Sequence, residues 1–526
     1  MKTDYHAIPE SSDELREQFV ELAQSNLDMA RKIERLEAEL RLFRKKSFQS
    51  QSEKFPSGQE DMFQDLLDQL AQEYRSKDLD DKQVDVPGHK RTVRKSRGLS
   101  KNLERVDVDY DLEESEKVCA CGKQKKVIGV ESIEQLAIKP QETYVIRHNR
   151  KKYGCDCGCA PVRAKMPRQP IPKSQFSPIL LAWIVVSKYV DGLPLYRLSK
   201  ILMRYGMKVC HKNMARALVK ASETICRLTE TWSAHLDKSD IRQCDETALQ
   251  VLREPGRAAT TKSWLWIQKG GPPSQPVILI NYSASRAGDV AKTLFNNFRN
   301  GYLVVDGYGG YKSVAEENSL KIVNCMDHAR RKFREAWEAL SPKQKQAKGG
   351  VAKEALERFK LIYAVERVAK EFSDQERKEI RQEESLPRLN EFRAWIQGIQ
   401  DSSVLTEKTQ TAVTYFLNNF TELCRYCEDG RLPISNIATE HCAKQIALAR
   451  KAFLFSCTPS GADATAAYFS VALTAQANGL NPFDYLTMLF TELPNIRPGE
   501  SVEHLQPWNT TKASLNTYMK SVPIPQ

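Results

Sequence analysis

Near the start of the chain, apolar residues recur every seven positions. Leu15, Leu22, Met29, Leu36 and Phe43 form one seam, and Phe19, Asn26, Ile33 and Leu40 follow four residues behind. This pattern predicts a leucine-zipper-like coiled coil over 12–46, with Glu34, Arg35, Glu37 and Glu39 outside the seam. Asn26 falls at a core position, where a buried amide fixes register and strand number. A single amphipathic helix packed on its own protein has the same periodicity. The periodicity is lost over 47–105, which reads as a linker with one helical stretch at 60–74.

Alternating runs such as Tyr144–His148 predict short strands within 106–165. Helical patterning occupies 174–236. Within it, Leu195–Tyr205 and His211–Lys220 flank Gly206 as a helix-turn-helix-like pair, a shape that any helical hairpin with a glycine turn shares. From 237 the pattern changes again. Strands are predicted at Ile241–Val251, Trp264–Gln268 and Val277–Tyr282, followed by a helix at Ala287–Phe298. Further strands at Tyr302–Val305 and Lys321–Cys325 lead into a helix at His328–Ala339. That order fits the first part, 237–338, of a ribonuclease-H-like α/β catalytic core. A charged helical stretch over 339–432 reads as an all-α insertion. The core then resumes over 433–490, and 491–526 forms a C-terminal tail. The expectation is a multidomain α+β protein.

Composition narrows the partners. The 526 residues are 41% hydrophobic and 28% charged, which excludes a wholly disordered chain. Lys and Arg number 79 against 67 Asp and Glu, a net charge of +12 that favours a polyanionic partner such as DNA. No apolar run approaches the ~20 residues needed to cross a bilayer, and no signal pattern opens the chain. A cytoplasmic, nucleoid-associated protein without a membrane partner is expected. Thirteen cysteines are then thiols or metal ligands rather than a disulfide framework.

Candidate chemistry sits at several places. Cys119 and Cys121 are separated from Cys155, Cys157 and Cys159 by a β-patterned insert, which resembles a zinc ribbon. Zn²⁺ would be held by Cys119, Cys121, Cys155 and Cys157, with Cys159 as the alternate. Five Lys/Arg residues between Gly88 and Gly98, namely Lys90, Arg91, Arg94, Lys95 and Arg97, suit a phosphate backbone or a solvated tether. Lys208, Lys212 and Arg216 place donors on the second helix of the hairpin. Asp245 lies within the first core strand, and Asp306 ends the fourth, beside glycines. In a ribonuclease-H-like sheet those strands are neighbours, so the two carboxylates would converge on Mg²⁺ or Mn²⁺ for phosphodiester chemistry. Glu440 supplies a candidate third acid, with Asn436 and Lys444 at four-residue spacing and Arg450 and Lys451 further on. Spacing alone does not select Glu440 over other glutamates.

These residues, in this order, resemble the transposases of the insertion sequence 66 family over some 450 residues. The stretches concerned include Ser52-Glu53-Lys54, Lys188-Tyr189 through Leu193-Pro194-Leu195-Tyr196-Arg197, Asp245-Glu246-Thr247 and Asp306-Gly307-Tyr308. Cys325-x-x-His328, Asn436-x-x-x-Glu440, Arg450-Lys451 and Pro507-Trp508-Asn509 continue the series. The resemblance implies a DDE triad of Asp245, Asp306 and Glu440 that is both catalytic and metal-binding. It also implies cleavage at element ends followed by strand transfer into target DNA, and, in some relatives, accessory proteins of the same element. Cys325 and His328 are read as support for the core, since two ligands leave a zinc site incomplete. The alternative function is a catalytically inactive relative that binds element ends.

Overall fold

The computed structural model describes residues 142–153, 162–341, 350–402, 405–497 and 499–523, with Gln24, Ser25, Met29, Lys32, Ile33, Leu36 and Lys345. The chain forms two compact units, Lys77–Tyr144 and the remainder. The six described residues of the heptad region are helical, and Met29, Ile33 and Leu36 are each more than half exposed. The rest of the heptad, the basic run from Lys90 to Arg97 and the five cysteines from Cys119 to Cys159 lie outside the described residues. Strands β1 (Lys152–Tyr153) and β2 (Val162–Arg163) pair antiparallel on either side of the segment that carries Cys155, Cys157 and Cys159.

Helices α1 (Pro178–Val185), α2 (Leu195–Arg204), α3 (His211–Thr229) and α4 (Trp232–Leu236) come next. Ser177 caps α1 by accepting from the Leu180 amide, and proline at the first helical position presets its φ. A π-helical turn, Val186–Val190, extends α1. Gly206 turns the chain between α2 and α3 at φ +83°, a conformation glycine adopts without a Cβ clash.

A mixed sheet follows, built from β3 (Ile241–Val251), β4 (Lys262–Gly270), β5 (Val277–Ser283), β6 (Tyr302–Val305) and β7 (Lys321–Asn324) in the order β5-β4-β3-β6-β7. The first three strands form an antiparallel meander, while β6 and β7 run parallel to β3. Parallel pairing demands crossovers. These contain α5 (Gly288–Leu294) and α6 (Lys312–Glu317). After β7 come α7 (Met326–Ala339), α8 (Val351–Ala369), α9 (Asp374–Ile380), α10 (Leu386–Ser402), α11 (Glu407–Asn418) and α12 (Phe420–Cys424). Then α13 (Ile437–Phe453) leads into β8 (Phe455–Ser456), which joins the far end of β3. Helices α14 (Pro459–Ala477), α15 (Pro482–Glu492) and α16 (Lys512–Ser521) finish the chain.

Alternation along the strands feeds two cores. Leu265 and Ile267 face one way, with Leu249, Ile278 and Ile280, into a cluster that also holds Leu181, Leu218, Trp232, Tyr468 and Leu489. The early helices and the C-terminal helices therefore share one core. Cross-links seal it: Tyr468 donates to the Leu218 carbonyl at 2.6 Å, and Trp232 Nε1 to Gln506 Oε1 at 2.7 Å. Trp266 and Cys244 face the other way, against Ala291, Phe295 and Phe298. A third cluster joins β6, β7 and α7 to α8 and α10–α12 around Phe333, Phe359, Phe392 and Phe416, with the last two rings 4.5 Å apart.

The β5 edge is closed by a helix. Ser470 and Thr474 hydroxyls accept from the Ile280 and Ile278 amides at 2.8 and 3.0 Å, and Asn478 Nδ2 donates to the Pro276 carbonyl at 2.9 Å. The spacing explains the match. Four helical residues rise about 6 Å and two strand residues rise about 6.7 Å, so one helix face keeps step with the free groups of the strand. Among the described residues no helix is long and apolar enough to cross a membrane.

Candidate active site

Register brings two acids together. β3 and β6 pair parallel through Gln243 and Val304, and continuing that register by two residues sets Asp245 beside Asp306. A third carboxylate arrives from α13, where Glu440 lies in the first turn and is buried. Asn436, at the N-cap, ties that helix down. Its Nδ2 donates to the Cys244 carbonyl at 2.8 Å, one residue before Asp245, and its backbone N–H donates to Cys325 Sγ at 3.2 Å. The Met326 amide donates to the Ile434 carbonyl at 3.1 Å, which fixes the start of α7 against the same segment. Long-range hydrogen bonds thus hold three separate stretches in one place.

The electrostatics separate the acids. Burial pushes the Asp245 carboxyl up to about 7, and the Glu246, Asp306 and Glu440 carboxylates add to the rise. The Glu246 amide, donating to Asp245 Oδ1 at 2.8 Å, works against it. Glu246 points to the opposite face of the strand. There it accepts from Arg286 at 2.9 Å and from the Tyr311 hydroxyl, so its charge is already matched. Arg286 also lies 3.8 Å from Asp306 Oδ2 and stacks on the Tyr308 ring at 3.9 Å. Asp306 Oδ1 accepts from the Tyr308 amide at 2.9 Å, and its carbonyl accepts from Tyr415 of α11 at 2.9 Å. Gly307, at φ +90°, lets that helix approach, because a Cβ there would sit 2.7 Å from the Tyr415 hydroxyl.

Asp245, Asp306 and Glu440 offer hard oxygen donors, and that donor set fits Mg²⁺ or Mn²⁺. Glu440 has further partners: Cys325 Sγ at 3.7 Å, His328 Nδ1 at 3.5 Å and Arg331 at 3.2 Å. Beside it a cavity of about 220 Å³ is lined by Arg330, Arg331, Arg334, His441 and Lys444. A basic wall thus adjoins the acidic cluster.

The remaining sequence candidates are spread out. Lys208, Lys212 and Arg216 are exposed along the turn and outer face of α3, and the exposed Tyr196 ring lies 5.9 Å from the His211 ring at the start of that helix. Lys444 lines the cavity at Glu440. Arg450 and Lys451 occupy the last turn of α13, about 15 Å along the helix from Glu440, where they complement its dipole. Sequence reasoning missed Arg286, Arg330, Arg331, Arg334 and Tyr415. The run Arg330-Arg331 beside His328 was the one signal available for two of them.

Carboxylates gathered on neighbouring strands, with a basic wall beside them, suit a protein that handles nucleic acid. The chain belongs to the Transposase IS66 family, whose pattern matches residues 173–464, more than half of the protein. The IS66 C-terminal element matches residues 470–508, and the zinc-finger binding domain of transposase IS66 matches 116–158. Similar proteins include three from Sinorhizobium fredii (strain NBRC 101917 / NGR234). "Uncharacterized protein y4qI" is 29% identical over 80% of this chain and 78% of its own length. "Uncharacterized protein y4jD" is 29% identical over 81% and 84%, and "Uncharacterized protein y4hP" 24% identical over 82% and 79%. No solved structure matches.

Proposed function

We propose that the protein is a DDE transposase that cuts DNA at the ends of its element and joins the freed ends to target DNA. What supports this reading is that Asp306, on the parallel neighbour of the Asp245 strand, and Glu440, on a returning helix, both lie near enough to Asp245 to raise its carboxyl. The strand order, an antiparallel meander followed by two parallel strands on the other side of its first strand, supports a ribonuclease-H-like core. Divalent cations held by the three carboxylates would supply Lewis-acid activation of the attacking oxygen and stabilise the leaving one.

The chain's own residues do the rest. Asn436 sets the distance between the Glu440 helix and the Asp245 strand. Arg286 neutralises Glu246, which leaves Asp245 as the acid of that pair open to the site. Arg330, Arg331, Arg334 and Lys444 offer donors to a DNA phosphate beside Glu440. Lys208, Lys212 and Arg216 on the α3 side give a second basic surface for DNA, with the linker residues Lys90 to Arg97 as a third. Zn²⁺ in the 116–158 domain would be held by Cys119, Cys121, Cys155 and Cys157, with Cys159 as alternate. Self-association runs through the heptad region, and the protein works at the nucleoid, with accessory proteins of the element as further partners. Family membership favours this enzyme over an inactive end-binding relative.

The test is cleavage of DNA carrying the element's own ends in Mg²⁺ or Mn²⁺. Wild type is expected to cut. Asp306→Asn and Glu440→Gln are expected to lose cutting while retaining end-binding. Cleavage by the double variant at the wild-type rate would sink the assignment.

A further inference from the structure

In sequence, Cys325 and His328 are a pair of ligands without a third. In space the third is present: Cys325 Sγ, His328 Nδ1 and a Glu440 carboxylate oxygen all lie within 4.8 Å of one another. The spacing is close to that of a metal site. A tetrahedral zinc ion with thiolate, imidazole and carboxylate ligands holds its donor atoms roughly 3.3–3.6 Å apart, from the usual Zn–S, Zn–N and Zn–O lengths. Here Sγ to Oε1 is 3.7 Å and Nδ1 to Oε1 is 3.5 Å. A second observation points into the same space: His328 Nδ1 is buried and has no hydrogen-bond partner.

We infer that Cys325, His328 and Glu440 form a binding site for zinc or another borderline-soft divalent cation, distinct from the hard-cation site but sharing Glu440 with it. Three protein ligands leave a fourth position open, and a thiolate with an imidazole favours Zn²⁺ over Mg²⁺. The Asn436 amide already donates to Sγ and would continue to do so, stabilising the thiolate from outside the ligand shell. Binding releases one proton, from the Cys325 thiol, to solvent.

Arg331 holds this site shut. Its guanidinium lies 3.3 Å from His328 Nε2 and 3.2 Å from Glu440 Oε2. Donation to Nε2 keeps the ring proton on Nδ1, facing the cluster. Metal at Nδ1 moves that proton to Nε2, where it meets the guanidinium donor to donor. Arg331 must therefore swing away, and its side chain is 37% exposed, with room to do so. Arg331 is the resident cation that zinc displaces. The site takes Glu440 from the proposed triad, so its consequence for chemistry rests on that reading.

The experiment is a Co²⁺ titration of the full chain, read by thiolate-to-Co²⁺ charge-transfer absorption and by bound-metal stoichiometry. The cysteines of the zinc-finger domain contribute equally in every variant. Wild type is expected to bind one equivalent more than Cys325→Ser and one more than His328→Ala, the second variant guarding against a folding defect at buried Cys325. Arg331→Gln is expected to tighten that equivalent by about tenfold or more. Equal stoichiometry and equal absorption in wild type, Cys325→Ser and His328→Ala would overturn the site. Asp245→Asn separates the two claims, because it is expected to lose cleavage yet keep the extra equivalent. Cleavage by Asp245→Asn would refute the transposase chemistry and leave the cation site standing.

Discussion

Asp245 carries a measurable stability cost. Its carboxyl is raised from 3.8 to about 7, first by burial and then by three neighbouring carboxylates. A folded-state value above the unfolded one means the native state prefers the protonated acid. Stability is therefore greatest below pH 4 for this group and is lost as pH rises toward 7. Linkage puts the loss at roughly 1–2 kcal/mol at pH 5 and roughly 4 kcal/mol at pH 8. Asp245→Asn is neutral at every pH, and its amide oxygen still accepts from the Glu246 amide. Without added divalent cation, the variant should be more stable than wild type by about these amounts, with the gap widening from pH 5 to pH 8. Urea unfolding followed by tryptophan fluorescence reads it directly, since Trp266 lies buried in the neighbouring strand, opposite Glu246. Added Mg²⁺ should close the gap from the wild-type side, because only wild type gains a ligand. A gap independent of pH, or a less stable Asp245→Asn at pH 8, would refute both the charge crowding and its cause.

Other outcomes follow from neighbouring contacts. Gly307→Ala forces a side chain into φ +90° and toward the Tyr415 hydroxyl, so it should cost about 1–3 kcal/mol in urea unfolding and slow cleavage. Arg286→Ala strands Glu246, whose side chain is fully buried. It should destabilise by up to about 3 kcal/mol, below the usual buried-pair figure because Arg286 is 31% exposed, and Glu246→Gln in the same chain should restore most of that. Lys212→Ala and Arg216→Ala should each weaken end-binding across sequences and lower the salt slope by about one; unchanged slopes would remove α3 from the DNA surface.

Much of the sheet was legible in the sequence because strand patterning is local. Ile241–Val251, with its alternating faces, and the apolar run Tyr302–Val305 stand where the periodicity puts them. Asp306 was readable as a strand-end acid for the same reason. Glu440 was not, since a glutamate in a helix looks like any other until Asn436 is seen bonding the Cys244 carbonyl, 192 residues away in sequence. Arg286 and Tyr415 share that fate. Each acts through one long-range contact that leaves no periodic trace. The Cys325–His328 pair was visible, yet its third ligand lies 112 residues beyond His328, on a helix whose docking the sequence does not encode locally. The helical patterning over 174–236 carries no sign of what its helices pack against. In the structure they are half of a core completed by 459–515.

The hydroxyl ladder on β5 bears on how copies of this protein meet. An uncovered flank strand is a template for another chain, and proteins that crowd together on DNA are exposed to that hazard. Here Ser470, Thr474 and Asn478 answer the outward groups of β5, and on the opposite flank Arg425 donates to the Ile322 carbonyl of β7. Runaway fibril growth by strand addition therefore has little purchase on either side. Contact between copies through this sheet is therefore left to its side chains and covering helices rather than to free strand backbone.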